Sequence, residues 1–334
     1  MAEFDLIAMG RSSIDLYSQD IGAPFTEISG FAAYVGGCPT NIAVGMRRLG
    51  MQTRLLTAVG TDPVGDFVCA FLDRNEVNTE LVVRKKDRRT SAVVLGIEPP
   101  DQFPLVFYRE GCADIALGID DVPEDALADT RAFLITGTGL SAEPSRSATM
   151  YAAERAREAG AKIVLDVDFR VDQWHDPRAF GVVLRSILPM VDVVIGTEEE
   201  IIALGGLKSV EVLGSQVSSP VVDGDLVAAI HMVVQSGPEA LVLKLGAEGA
   251  SVFLRSGEVI DAAPFPVDVT NVLGAGDAFA SGFLFGHLSG WGWQRAARMG
   301  NAVGAIVVTR PGCADFMPTR DEVEAFVASR GGWE

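Results

Sequence analysis

The sequence predicts an α/β fold in which a doubly wound, mostly parallel sheet is covered by helices on both faces. Short apolar runs, such as residues 6–9, 55–60 and 133–136, alternate with segments of helical period. Runs that are apolar throughout are typical of parallel strands buried on both faces. The chain has 334 residues, 48% of them hydrophobic, which is enough for one large domain over 1–334.

The alternation can be followed along the chain. Strands are predicted at 6–9, 55–60, 133–136, 162–168, 191–195 and 240–245, and helices at 42–50, 67–75, 145–159, 180–188 and 226–235. Gly50 and Gly160 end the two helices that precede them. Residues 16–31 lack a helical period, so we expect a strand-rich, partly exposed segment there. In 319–322 the pattern T-x-x-E is typical of a capping box before a last helix.

One pair of strands falls outside this alternation. Residues 90–97 and 105–108 have strand character, and the turn-rich segment 98–101 joins them without a helix. We therefore expect an antiparallel pair that does not belong to the parallel sheet.

Charge and cysteine content exclude several classes of protein. The chain has 45 acidic and 27 basic residues, a net charge of −18, which argues against nucleic acid as a partner. An acidic ligand would need locally concentrated arginine or lysine. The four cysteines have no metal-ligand spacing and are expected as free thiols.

No signal peptide and no apolar run of about 18–20 residues is present, so we expect a soluble, cytoplasmic protein with no membrane partner.

The most informative stretch is 271–277, Asn-Val-Leu-Gly-Ala-Gly-Asp, followed by an apolar helical segment. Small residues leave backbone N–H groups uncovered at a helix N-terminus, which favours an anion. Asp277 beside such a site fits a base that takes a proton from a hydroxyl attacking phosphorus. The alternative is a glycine-rich turn in which Asp277 only caps the helix.

Other motifs are absent from the sequence. It contains no P-loop, no G-x-G-x-x-G after an early strand and no G-x-S-x-G, and none of its three histidines has a metal-like partner. Ligands of doubly wound folds lie at the carboxyl ends of the strands. That edge is predicted to carry Gly10, Asp166, Asp168, Gly196 and Gly246.

Two distant motifs together resemble the signatures of the PfkB (ribokinase-like) carbohydrate kinases. They are Gly36-Gly37-x-x-x-Asn41 and Gly274-Ala275-Gly276-Asp277, and the likeness extends over essentially the whole chain. The resemblance implies a small β-sheet lid from segments of about 12–35 and 89–112. It also implies that ATP and Mg²⁺ are used, and that two copies associate through the lid as a homodimer.

The resemblance also implies roles for individual residues. Asp277 would be the catalytic base, and Gly274, Ala275 and Gly276 the anion hole. Sugar hydroxyls would be contacted by Asp15, Gly36, Gly37 and Asn41. The nucleotide would be bound by Lys244, Gly246, Gly249 and Asn301.

The chain departs from the family at two points. Where the family has N-x-x-E, this chain has Gly196-Thr197-Glu198-Glu199, so Glu199 is expected to act on Mg²⁺ through water while the Asn contact is lost. The Asp that often precedes the anion hole is replaced by Asn271. Activation by K⁺ is therefore left open.

Three residues resemble the branch of the family that phosphorylates keto-deoxy sugar acids. Tyr108 and Arg109 lie at the end of the expected lid, and Arg170 follows a sheet strand. Two guanidinium groups would hold a carboxylate in bidentate geometry. The alternative is that the arginines form surface ion pairs, Arg109 with Glu110 or Asp114 and Arg170 with Asp166 or Asp172.

The resemblance implies 5-dehydro-2-deoxygluconate as the substrate, phosphorylated at O6 in inositol catabolism. Two other substrate classes stay open, 2-keto-3-deoxygluconate and a neutral sugar such as fructose or ribose. A further alternative is a sugar-sensing pseudokinase without turnover. The presence of Asp277 argues against that alternative, because a sensor does not need a base.

Overall fold

The computed structural model describes residues 2–98, 103–211 and 220–333. The strands are β1 Phe4–Met9, β2 Ser13–Ser18, β3 Phe31–Gly36, β4 Thr53–Gly60, β5 Val82–Lys85, β6 Ser91–Leu95, β7 Leu105–Tyr108, β8 Thr130–Thr136, β9 Lys162–Asp166, β10 Val193–Thr197, β11 Ser209–Glu211, β12 Val221–Asp223, β13 Ala240–Lys244, β14 Ala250–Leu254 and β15 Val259–Ala262. The helices are α1 Cys38–Arg48, α2 Pro63–Arg74, α3 Glu124–Leu127, α4 Ser145–Glu158, α5 Pro177–Ile187, α6 Glu198–Gly206, α7 Leu226–Gln235, α8 Ala275–Leu288, α9 Trp293–Val307 and α10 Arg320–Ala328.

Nine strands form one large sheet in the order β15-β14-β13-β10-β9-β8-β1-β4-β5. All neighbours are parallel except β13 with β14 and β14 with β15, which form an antiparallel edge. The predicted doubly wound, mostly parallel sheet is confirmed. The chain starts at an interior strand, third from the β5 edge, so the strand order reverses between β1 and β8, where folds of this kind bind their ligands.

The interior strand β1 contributes side chains to two hydrophobic cores, one on each face of the sheet. Leu6 and Ala8 belong to the core that includes α1, α8 and α9, while Ile7 and Met9 belong to the core that includes α4, α5 and α7. All four side chains are fully buried. This alternation places helices on both faces of the sheet, as the continuous apolar run predicted.

Helix α9 was not predicted from the sequence. It packs along α8, and a Cβ on Gly300 would lie 2.8 Å from the ring of Phe279. Glycine lowers the intrinsic helix propensity of a segment. The presence of Gly300 therefore reflects the close approach of two helices rather than a local preference. Long-range packing thus decides the conformation of this segment.

A second sheet has the order β3-β2-β6-β7 and stands apart from the large one. Strands β6 and β7 are antiparallel, as predicted, and the predicted turn at 99–101 lies outside the described residues. The expectation of a strand-rich segment over 16–31 was wrong for its middle. There β2 ends at Ser18, and a short 3₁₀ helix at Phe25–Glu27 precedes β3.

Thr319 and Glu322 form the predicted capping box at the start of α10. The four cysteines are free thiols, as predicted. Among the described residues, no helix is both long enough and apolar enough to cross a membrane.

Candidate active site

The loop before α8 is fixed by the side chain of Asn271. Its Nδ2 donates to the carbonyl of Pro311 at 2.8 Å, and its Oδ1 accepts from the amide of Leu273 at 2.9 Å. Gly274 then begins the helix with φ +77°, and a Cβ there would lie 2.8 Å from Sγ of Cys313. Glycine is therefore needed at 274 for both its left-handed backbone and this close approach.

The N-terminus of α8 presents unpaired backbone amides. The N–H of Ala275 donates to the carbonyl of Val272 at 3.2 Å, whereas the amides of Gly274 and Gly276 find no acceptor among the described residues. The Nζ of Lys244 lies 3.2 Å from the position of a Cβ on Gly276. Two open amides, the helix dipole and an ammonium group together make this an anion-binding site.

Asp277 lies in the first turn of α8, directly beside these amides. Asn41 donates from Nδ2 to Oδ2 of Asp277 at 2.6 Å, and the Oδ1 of Asn41 is buried without a partner. Burial raises the pKa of Asp277, the charge of Asp168 raises it further, and the hydrogen bond from Asn41 opposes both. A carboxylate with a raised pKa is a stronger base, which suits proton abstraction from a hydroxyl.

At each of Gly36 and Gly37 another part of the chain comes too close for a Cβ atom. The pair is therefore more than a simple turn. A Cβ on Gly36 would lie 1.9 Å from Oδ2 of Asp15, and one on Gly37 would lie 2.2 Å from the carbonyl oxygen of Arg11. Gly37 also has φ +113°. Asp15 in turn accepts from Oγ of Ser13 at 2.7 Å, and burial raises its pKa. Gly36 thus leaves room for the carboxylate of Asp15 on β2, and Gly37 for the backbone of Arg11.

Lys244 lies at the carboxyl end of β13 among buried carboxylates. Its Nζ is 3.6 Å from Oδ2 of Asp166 and 3.5 Å from Oε2 of Glu200. Burial by itself would lower the pKa of Lys244, but these two carboxylates outweigh it and raise the pKa. Lys244 therefore stays charged next to the amides of α8.

The structure places Glu200, rather than Glu199, in this cluster. Glu199 is exposed at the mouth of the cavity, whereas Glu200 is buried and accepts from the amides of Thr197 at 2.8 Å and Phe169 at 3.3 Å. Thr197 and Glu200 form a capping box for α6. Sequence reasoning missed Glu200, although the T-x-x-E pattern that identified the last helix occurs here too.

Arg170 is paired with a buried carboxylate. Its Nη2 lies 2.9 Å from Oδ1 of Asp168, and Thr138 donates from Oγ1 to the other oxygen at 2.7 Å. Burial would raise the pKa of Asp168, but Arg170 and Thr138 lower it overall. The alternative partners considered for Arg170, Asp166 and Asp172, were wrong.

Arg109 is also paired. Its Nε donates to Asp114 at 2.7 Å, and its Nη1 donates to the carbonyl of Thr138 at 2.9 Å and to Gln173 at 3.2 Å. The contact with Asp114 that was considered as an alternative is present, but both side chains are buried rather than at the surface. Tyr108 is 61% exposed, so its side chain is not brought to the site.

A cavity of about 970 Å³ extends from Asp277 along the carboxyl edge of the large sheet. Its far wall includes Gly246, Gly249 and Asn301. Asn301 donates from Nδ2 to the carbonyls of Ala262 and Ala263, each at 2.9 Å, and so fixes the segment after β15. The volume is large enough for a nucleotide-sized ligand.

Comparison with known proteins agrees with this geometry. Residues 4–320 match the profile of the pfkB family carbohydrate kinases. The 5-dehydro-2-deoxygluconokinase of Geobacillus thermodenitrificans is 32% identical over 324 residues, which cover 97% of this chain and 93% of the relative. That of Bacillus anthracis is 33% identical over 325 residues, covering 97% and 95%. The crystal structure of fructokinase with bound ATP from Xylella fastidiosa superposes with a TM-score of 0.84 at 24% identity, covering 98% and 99%, and supports the fold alone.

Gly37 and Gly50 lie at the two ends of α1, and both have positive φ. They allow a matched test of the close approach at Gly37. Gly50→Ala should cost only the backbone strain of positive φ, about 1–3 kcal/mol, because nothing lies within 4 Å of its Cβ position. Gly37→Ala should cost clearly more, because the carbonyl of Arg11 must also move. Urea denaturation of both variants measures the difference, and equal losses of unfolding free energy would contradict the contact.

Proposed function

This chain belongs to the pfkB family of carbohydrate kinases, and we propose that it phosphorylates the C6 hydroxyl of 5-dehydro-2-deoxy-D-gluconate with ATP. The observation that carries this proposal is the position of Asp277, held by Asn41 beside the open amides of Gly274 and Gly276. The sugar acid of the proposal is the substrate named for the relatives that cover nearly the whole chain. The reaction would be a step of myo-inositol catabolism.

In the proposed mechanism Asp277 is the general base. Its carboxylate accepts the proton of the sugar O6–H as O6 forms a bond to the γ-phosphorus, and the bond to the β–γ bridging oxygen breaks to release ADP. The amides at the start of α8 and the ammonium of Lys244 stabilise the charge on the transferring group. Asp15 and Asn41 would contact further sugar hydroxyls; the Oδ1 of Asn41 is buried and has no partner, so it becomes accessible only when the side chain moves.

We place the nucleotide in the cavity between the α8 amides and the wall formed by Gly246, Gly249 and Asn301. Both glycines have positive φ, and a Cβ on Gly249 would lie 2.3 Å from the carbonyl of Ala262. These residues therefore shape the wall through their backbones. Lys244 would contact the phosphates from β13.

The acidic residues around the phosphate end of this cavity fit Mg²⁺. No group of three or more potential metal ligands occurs in the part of the chain described by the structure, so a protein cage is not expected there. Mg²⁺ usually binds one or two carboxylates, water and the substrate's phosphates. Glu199 and Glu200 line the cavity, and Asp166 has a buried oxygen without a hydrogen bond. In this role Mg²⁺ neutralises phosphate charge.

The side chain of Asn271 bears on whether K⁺ binds in the loop before α8. Its amide nitrogen donates to the carbonyl of Pro311, and the side chain brings no negative charge to this loop. That arrangement does not favour a monovalent-cation site at residue 271.

A panel of substrates tests the proposed activity. With Mg²⁺–ATP, ADP release should show a kcat/KM for 5-dehydro-2-deoxygluconate more than about tenfold above that for 2-keto-3-deoxygluconate, ribose or fructose, a difference of ~1.4 kcal/mol. Preference for 2-keto-3-deoxygluconate would keep the mechanism and change the substrate. Turnover of neutral sugars alone would contradict an acid substrate, and sugar binding without any turnover would indicate a sensor.

Replacing the proposed base tests the mechanism. Asp277→Asn should lower kcat by at least about 10²–10⁴-fold, because an amide cannot accept the proton, while ATP binding stays close to that of the parent protein. Asp87→Asn, at an exposed aspartate, is the matched control and should be unaffected. Steady-state kinetics and calorimetry of ATP binding provide the two readouts, and near-normal turnover of Asp277→Asn would refute the role.

The pH dependence of kcat tests the charge next to the base. Asp277 must be ionised to act, and the charge of Asp168 helps to raise its pKa. Asp168→Asn removes that charge and lowers the pKa of Asp277, so the acid limb of the pH profile should move to lower pH. Asp172→Asn, at an exposed aspartate four positions further along the chain, should leave the limb in place. A shift of the Asp168→Asn profile to higher pH would contradict this assignment.

We further propose that the four-stranded sheet is a lid over the sugar and that it pairs with the lid of a second copy. One face of this sheet packs towards the loop before α8 through a small core that includes Tyr17 and Leu105. By the strand register, the other face is almost entirely apolar and partly exposed. It carries Ile14, Leu16, Phe31, Ala33, Ala92, Val94, Val106 and Tyr108. A second copy would cover this face.

A charge placed on this face should separate the two copies. The parent protein is expected to sediment at twice 35.4 kDa, and Val106→Glu, at an exposed valine of β7, at 35.4 kDa. Val259→Glu, at a valine of β15 that is also exposed, should remain a dimer. Sedimentation equilibrium decides the outcome. A monomeric parent protein, or a dimeric Val106→Glu variant, would overturn the lid interface.

A further inference from the structure

Arg11 lies at the point where the strand order of the large sheet reverses. It follows β1, and the neighbouring strand β8 leads to Thr138 on the other side of the reversal. Its backbone is fixed, because its carbonyl accepts from Oγ1 of Thr40 at 3.2 Å and the backbone of Gly37 packs against it. Ligands of doubly wound folds bind at this reversal.

The guanidinium of Arg11 is buried but has no carboxylate partner. The residue is 9% exposed, and its Nη1 donates to Oγ of Ser13 at 2.5 Å. No carboxylate oxygen of the described residues lies within 4.0 Å of it. Its Cζ lies 5.1 Å from the centre of the Phe107 ring, which belongs to the small sheet. Burying a cation without a partner is costly, so the open donors indicate a missing anion.

The other two arginines of this region are already committed. Arg109 donates hydrogen bonds to Asp114, Thr138 and Gln173. Its Nη2 is buried and closed off from solvent. Arg170 is paired with Asp168. Some side-chain nitrogens of the described residues are buried without a hydrogen-bond partner. The nitrogens of Arg11 are not among them. Of the three, Arg11 has the Nε–Nη2 edge free for a ligand.

We propose that Arg11 binds the carboxylate of the sugar acid and selects an acid over a neutral sugar. This inference rests on the proposed function and moves the direct carboxylate contact to Arg11, leaving positive potential as the contribution of Arg109 and Arg170. The Nε–Nη2 edge matches a carboxylate in bidentate geometry. Asp15 and Asp168 interact with Arg11 through their charges, so an anionic substrate would be repelled here without it.

Arg11→Gln tests the assignment. The kcat/KM for the sugar acid should fall about 100-fold or more, while the KM for ATP and any turnover of fructose stay within about twofold. In an Asp277→Asn background, calorimetry should show that Arg11→Gln abolishes binding of the sugar acid. Arg88→Gln, at an exposed arginine paired with its neighbour Asp87, is the matched control. The melting temperature reports on folding.

Arg11→Lys keeps the positive charge but loses the bidentate edge, so it should cost about tenfold for the acid even if Arg11→Gln does not fold. Unchanged acid kinetics in Arg11→Lys, or equal losses for acid and fructose in Arg11→Gln, would overturn the role of Arg11. A parent protein that turns over no sugar acid would instead refute the proposed function. The two failures are thus distinguishable.

Discussion

The site depends on how buried charge is balanced at the carboxyl edge of the large sheet. Asp166, Asp168 and Glu200 are buried close together, and each faces a cation, Lys244 or Arg170. Removing one partner of such a pair leaves a buried charge uncompensated, which typically costs several kcal/mol. The cations are therefore held in place by the fold. The pKa of Asp277 at the start of α8 is raised first by burial and then by the charge of Asp168, while the charge of Lys244 lowers it.

Two parts of the site with different chemistry lie along the carboxyl edge of the large sheet. Towards the antiparallel edge strands, the cavity is shaped by backbone and by amide side chains such as Asn301. Towards β1, the surroundings are ionic and include Arg11, Asp15 and Asp168. Asp277 lies between the two regions and touches Asn41. A group transferred from one side to the other must pass the amides of α8.

Much of the fold and part of the site could be predicted from the sequence. The apolar runs of the parallel strands and the glycine-rich loop before α8 depend on local chemistry, so they are visible in sequence. Helix α9 is not, because its Gly300 is explained only by the close approach of Phe279 from another helix. The partner of Arg170 was also inaccessible, and Asp114 was only one of two candidates for Arg109, since every nearby acidic residue is an equally good candidate until the chain is folded. Glu200 was missed for a different reason: the family pattern N-x-x-E pointed to Glu199, and the capping box of Thr197 and Glu200 was not considered.

The hydrogen bond between Asn41 and Asp277 joins residues 236 positions apart in the chain. Tyr17 and Cys313, which are in contact beside the same loop, are 296 positions apart. Contacts of such sequence separation form only after the loop between them has closed, and they are slow to form. The base and its partner therefore meet only when both segments of the chain have docked on the sheet. Partly folded or C-terminally truncated chains lack this pair, so the competent site exists only in the complete fold.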